Sequence, residues 1–161
     1  MGAEVFHALH DVLEAKGYGT TVGDEGGYAP RVTGGNAEAL ELIMTAIHQA
    51  GYQAGRDLVL ALDVAASELY KDDYYHLKTE GRSLDTTEMV AWLSDLSKQY
   101  PIVSIEDGLD ESDWAGWSTL TAAHGDRLQV VGDDLLVTNP QFLARGIQEK
   151  AANAILIKLN P

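Results

Sequence analysis

The sequence predicts an α/β fold built on a parallel sheet, on three observations. From residue 58 onward, four short apolar runs alternate with stretches of helical character. Each run closes on an ionisable residue: L-V-L-A-L-D on Asp63, I-V-S-I-E on Glu106, L-Q-V-V-G-D on Asp133 and A-I-L-I-K on Lys158. No G-x-G-x-x-G or G-x-x-x-x-G-K-[ST] loop follows the first run, as a doubly wound nucleotide-binding fold would require. Strand–helix alternation favours parallel strands joined by right-handed crossovers. A charge inside a buried strand is costly, so each ionisable residue belongs where its strand stops. Catalytic groups at the C-terminal ends of successive strands are the pattern of a barrel. The expectation is a partial (β/α)8 TIM-type barrel of about four parallel strands with intervening helices. A complete barrel takes about 250 residues, and this chain has 161.

In chain order, residues 3–16 read as a helix, with Phe6, Leu9 and Leu13 on one face and Gly17 as its stop. V-G-D-E-G-G-Y-A-P, residues 22–30, carries three glycines around Asp24 and Glu25 and has no regular structure. It reads either as a surface turn or as an active-site loop that delivers a carboxylate. Residues 36–50 form a second helix, capped by Asn36, with Leu40, Ile43, Met44 and Ile47 inward. The first strand runs from Leu58 to Asp63, followed by a loop, V-A-A-S-E-L-Y, and an extra short strand at Tyr74–Leu77. A helix from Thr86 to Gln99 starts on a capping box of Asp85 and Glu88 and buries Met89, Trp92, Leu93 and Leu96. The second strand spans 102–106. Trp114, Trp117 and Leu120 mark a helix over 113–123. The third strand is Leu128–Val131. Asn139 caps a helix with Pro140 at its first position, and Phe142, Leu143 and Ile147 face inward. Ala154–Lys158 is the fourth strand. No linker or low-complexity tract divides the chain, so residues 1–161 read as one partial domain.

The bulk properties narrow the function. The formal net charge is −14, which disfavours nucleic acid and anionic membrane partners. There is no cysteine, so disulfides, thiolate metal sites and cysteine nucleophiles are excluded. No apolar stretch approaches the ~18 residues of a membrane-spanning helix, and residues 1–7 lack signal-peptide character. A cytoplasmic location follows by default. The histidines suggest no site: His7 and His10 share a helix without a third ligand, and His48, His76 and His124 are isolated.

Three carboxylates converging from neighbouring strands repel one another. Protonation relieves this, and so does a divalent cation. Oxygen-only ligands select a hard metal, Mg²⁺ first and Mn²⁺ second. Lys158 on the next strand would face that cation. Positive charge and partial burial would lower its pKa and make it a usable base. Asp107 has no assigned role, because period-two alternation points it away from Glu106.

The strings V-G-D-E-G-G-Y-A-P, A-L-D-V-A-A-S-E, P-I-V-S-I-E-D-G-L-D-E-S-D-W, V-V-G-D-D-L-L-V-T-N-P and A-I-L-I-K-L-N resemble those of the enolases, over essentially the whole chain and in the same order. The resemblance implies Mg²⁺-dependent, reversible dehydration of 2-phosphoglycerate to phosphoenolpyruvate, in a cytoplasmic enzyme that is homo-oligomeric at full length. It implies that Asp63, Glu106 and Asp133 bind Mg²⁺, that Lys158 removes the proton next to the carboxylate, and that Glu25 helps the hydroxide leave as water. Glu106, Asp133 and Lys158 are then also the substrate-binding residues. The resemblance covers only the middle of the enolase barrel, and no S-H-R-S-G segment or second active-site lysine is present. Met1 therefore reads as an internal methionine and the chain as a fragment, expected to bind Mg²⁺ weakly and to turn over little. Two other readings are an acid-sugar dehydratase or racemase of the wider superfamily, and a non-catalytic binding remnant.

Overall fold

The computed structural model of the chain describes residues 1–159. The chain divides into two compact units, Met1–Val59 and the stretch from Leu60 onward. In the first unit, α1 (Gly2–Ala15) packs on α2 (Asn36–Gln49). Val12 and Leu13 of α1 meet Leu42 and Ala46 of α2, and Tyr18, Tyr28 and Val32 of the intervening loop close over them. α2 begins at Asn36 itself, so Asn36 is not its cap; Gly35 precedes it at φ 87°, a conformation glycine adopts readily, which moves the start one residue earlier. Glu38 fills the capping role from inside, accepting the Gly34 N–H at 2.7 Å and the Tyr18 hydroxyl at 2.8 Å. These two donors hold its carboxyl below the ordinary range, the Gly34 bond most of all.

The second unit carries a four-stranded parallel sheet, β1 (Leu60–Asp63), β5 (Ile102–Glu106), β6 (Gln129–Gly132) and β7 (Ala154–Ile155), adjacent in that order. Helices α3 (Thr86–Gln99), α4 (Trp114–His124) and α5 (Pro140–Glu149) are the crossovers. The start of α3 is the capping box its sequence predicts: Asp85 accepts the Glu88 N–H at 2.8 Å, and Glu88 accepts the Asp85 N–H at 3.0 Å. α3 packs on β5 and α4, and α4 packs on β6. Their shared core holds Met89, Leu93, Ile105, Leu109, Trp117, Leu120 and Val130, all buried. The Trp117 indole N–H donates to the Asp110 carbonyl at 3.1 Å, so its one polar atom is satisfied.

Further elements differ from the sequence reading, β1 among them, which begins at Leu60 rather than Leu58. Between β1 and α3 the chain builds a three-stranded antiparallel sheet, β2 (Tyr70–Lys71), β3 (Tyr74–Leu77) and β4 (Arg82–Leu84), where only β3 was expected. Tyr75 anchors it: fully buried, its hydroxyl donates to the Asp113 carboxylate at 3.1 Å and accepts the Asp110 N–H at 2.9 Å. Burial first, then the neighbouring carboxylates, push the Tyr75 phenol far above its usual value. The fourth strand is Ala154–Ile155 rather than Ala154–Lys158, because β7 is an edge strand whose pairing with β6 ends at Gly132. On α5, Phe142 and Ile147 are exposed and only Gly146 is buried, so the expected inward face is open.

Candidate active site

Strand register puts the site together. Asp63 pairs with Glu106, Glu106 with Val131, and Val131 with Ala154, so one rung crosses all four strands. The rung lies at the C-terminal ends of the strands, where the backbone turns away into loops. Main-chain bonds carry the ladder past it: Val64 N–H to the Glu106 carbonyl, Ala66 N–H to that of Asp107, Asp107 N–H to that of Val131 and Leu156 N–H to that of Gly132, all at 3.0–3.1 Å. Asp133 and Lys158 sit beyond the rung, on the loops after β6 and β7.

The acidic side chains form two groups, each with ligand oxygens within 4.8 Å of one another: Asp63, Glu106 and Asp107, then Asp107, Asp133 and Asp134. The three predicted metal ligands are divided between these groups, and Asp107 belongs to both. Burial raises the Glu106 carboxyl above its usual range, reinforced by the charges of Asp63, Asp107 and Asp133 and opposed by Lys158. The donor set is oxygen only, it is crowded with like charge, and it therefore fits a hard divalent cation.

Asp107 corrects the sequence reading. The strand ends at Glu106, and Asp107 adopts φ 42°, so alternation does not carry across to it. It turns inward, 5% exposed, between both acidic groups. Its two carboxylate oxygens accept the N–H groups of Asp133 and Asp134, each at 3.0 Å. Burial raises its carboxyl, and those two bonds pull the other way. The sequence signal for it is an aspartate directly before Gly108 at the end of an apolar run, since Asp tolerates the left-handed region better than most residues.

Lys158 differs from its expected state. Its Nζ lies 2.5 Å from Asp133 Oδ2, and the side chain is 55% exposed. The bond to Asp133 leads a set of carboxylate contacts that raise its pKa, the reverse of the lowering expected. The lowering expected of it calls for a facing cation as well as burial, and here the bond to Asp133 outweighs the burial penalty that remains. Its backbone N–H donates to Thr138 Oγ1 at 2.9 Å. Thr138 and Val137 both take positive φ, 53° and 40°, a conformation β-branched residues rarely adopt and one that stores about 1–3 kcal/mol each. Asp133, Asp134, Val137, Thr138 and Lys158 line an open cavity of about 120 Å³.

Glu25 belongs to the first unit, exposed in the turn between Val22 and Tyr28, which form an antiparallel bridge. Gly23 and Gly27 join across that turn through an N–H to carbonyl bond of 2.8 Å. On α1, His10, Asp11 and Glu14 form a further group of potential ligands, all solvent-accessible. Among the described residues, no helix is long and apolar enough to cross a membrane. The family model described as the enolase C-terminal TIM barrel domain matches residues 1–161.

Proposed function

The chain belongs to the family of enolase C-terminal TIM barrel domains, and from that premise we propose that its site serves the reversible dehydration of 2-phosphoglycerate to phosphoenolpyruvate. The observation that carries this reading is the pairing of a three-carboxylate rim with an amine. Asp63 and Glu106 share a rung, and Asp133, beyond the next strand, holds Lys158 at 2.5 Å. Asp63, Glu106 and Asp133 are the residues that would hold Mg²⁺. Bound there, Mg²⁺ supplies positive charge to a substrate carboxylate that gains a further negative charge when its α-proton is removed.

Lys158 is the base for that proton. It must be neutral to accept it, so it has first to part from Asp133 and lose the proton that their contact holds. Asp133, a residue that would also hold Mg²⁺, is the partner it leaves, and the proton passes to solvent, which reaches the exposed amine. The carbon–oxygen bond at the neighbouring carbon then breaks, and the hydroxide leaves as water on taking up a proton, the part that the resemblance to the enolases gives to Glu25. The substrate is a small anionic molecule. The net charge of −14 disfavours nucleic acid and membrane partners, and we assign the protein to the cytoplasm, with the homo-oligomer a property of the full-length family member.

The test separates proton removal from dehydration. 2-Phosphoglycerate is incubated with the chain and Mg²⁺ in D₂O, and deuterium at the α-carbon is followed by NMR. Mg²⁺ titrations are run by calorimetry with and without the substrate. Exchange that needs Mg²⁺ and disappears in Lys158→Ala, with tighter Mg²⁺ binding in the presence of substrate, supports the reading. Mg²⁺ binding indifferent to 2-phosphoglycerate, together with no exchange, refutes it.

A further inference from the structure

We infer that Asp107 is a positioning residue for this site, a clamp on the Asp133–Asp134 turn rather than a metal ligand; the inference rests on the reading of Asp133 as a ligand. At the start of the turn after β6 the backbone N–H groups leave the sheet ladder. Asp133 and Asp134 follow the last paired residue of the strand, Gly132. Asp107 reaches across from the neighbouring strand and accepts both of their N–H groups at 3.0 Å, one on each oxygen. Its own backbone is held on both sides, its N–H by the Val131 carbonyl and its carbonyl by the Ala66 N–H, each at 3.0 Å. Asp107 thus ties the loops after β1 and β6 to the end of β5. Both oxygens are committed to backbone donors, and the residue is buried.

The consequence passes down the loop. Asp133 bears the bond to Lys158, and its carbonyl accepts the N–H groups of Leu136 and Val137 at 3.1 and 2.7 Å. Thr138, next in the chain, accepts the Lys158 backbone N–H. Fixing the Asp133 and Asp134 amides therefore fixes ligand and base relative to each other. An outer-shell partner of this kind typically changes metal affinity by about 10–100-fold.

Asp107→Asn is the variant to use, because asparagine tolerates the left-handed backbone at φ 42° but offers one acceptor where two are needed. Asp134→Asn removes a charge from the same acidic group while leaving the Asp107 clamp intact, and serves as the charge-matched comparison. In the full 161-residue chain, amide hydrogen exchange of Asp133 and Asp134 should be slow although they lie outside the sheet; exchange at open-loop rates in the unmodified chain overturns the clamp, whatever the variant's fold. In Asp107→Asn those two amides should lose protection, and Mg²⁺ affinity measured by calorimetry should fall about tenfold further than in Asp134→Asn. Equal losses in the two variants overturn the inference and leave the metal reading standing. Loss of Mg²⁺ binding with both amides still protected makes Asp107 a ligand, and also overturns it. Failure of the unmodified chain to bind Mg²⁺ refutes the metal reading itself, and the positioning role with it.

Discussion

Replacing Glu106 with glutamine should move thermal stability in opposite directions with and without Mg²⁺. In the metal-free chain, the Glu106 carboxylate faces those of Asp63 and Asp107, with ligand oxygens within 4.8 Å. Two unit charges at that separation repel by about 0.9 kcal/mol at the dielectric constant of water, the suitable value for a half-buried group beside the exposed Asp63. Two such neighbours make the relief on neutralising Glu106 about 1–2 kcal/mol. For a chain of this length, 1 kcal/mol shifts the melting temperature by roughly 2–4 °C, so Glu106→Gln should melt about 2–8 °C higher than the unmodified chain in EDTA. A ligand at a hundred times its dissociation constant stabilises by about 2.7 kcal/mol. Saturating Mg²⁺ should therefore lift the unmodified chain above the variant, which has lost a ligand. Scanning calorimetry, with near-ultraviolet circular dichroism to follow the tryptophans, reads both effects. A variant that melts below the unmodified chain in EDTA refutes the electrostatic argument; one that keeps the full Mg²⁺-induced rise refutes the ligand assignment.

Other predictions follow from the same chemistry and from the core. A carboxyl with a raised folded-state pKa contributes stability that is present below the unfolded value and lost as pH rises through the folded one. Glu106 is raised, by burial first and then by its neighbours, so the melting-temperature advantage of Glu106→Gln in EDTA should grow as pH rises above the ordinary carboxylate range; a constant gap contradicts this. Trp117→Ala removes a fully buried side chain and should destabilise by about 3–5 kcal/mol in urea titrations. Asp85→Ala takes away the α3 cap and should cost about 1 kcal/mol in the same assay, with Mg²⁺ binding in the folded variant unchanged.

The parts of the fold legible in the sequence were those with strong local signals. α3 has the bounds its capping box and apolar spacing predict, and β5 spans Ile102–Glu106 as its Val and Ile content and following glycine suggest. The small antiparallel sheet was harder to see, because β2 has two residues and β4 three, too short for alternation to register. On α5, Phe142, Leu143 and Ile147 are spaced to share a face, yet Phe142 and Ile147 are exposed. Spacing tells which residues share a face and not what covers it. At the site, Asp63, Glu106, Asp133 and Lys158 were marked by their places after apolar runs. Asp107 was missed because a single left-handed residue breaks the period on which the reading depended. The state of Lys158 is not legible for another reason: spacing does not show which carboxylate a largely exposed amine meets, and here it is Asp133.

The bonds that carry the ladder beyond the rung have a consequence for how such a site could diversify. Val64, Ala66, Asp107 and Leu156 each donate a main-chain N–H to a main-chain carbonyl. None of these links depends on the identity of a side chain. The spacing between the loop mouths is thus inherited largely from the polypeptide itself, with side chains added at a few points: Asp107 to the Asp133 and Asp134 N–H groups, Thr138 to that of Lys158 and Ser67 to that of Glu111. Residues projecting from that frame are free to be exchanged singly, each presented at the same place as the one before. A new chemistry at these strand ends would require different side chains on an unchanged scaffold, and the exchanges the scaffold would register are those at Asp107, Thr138 and Ser67.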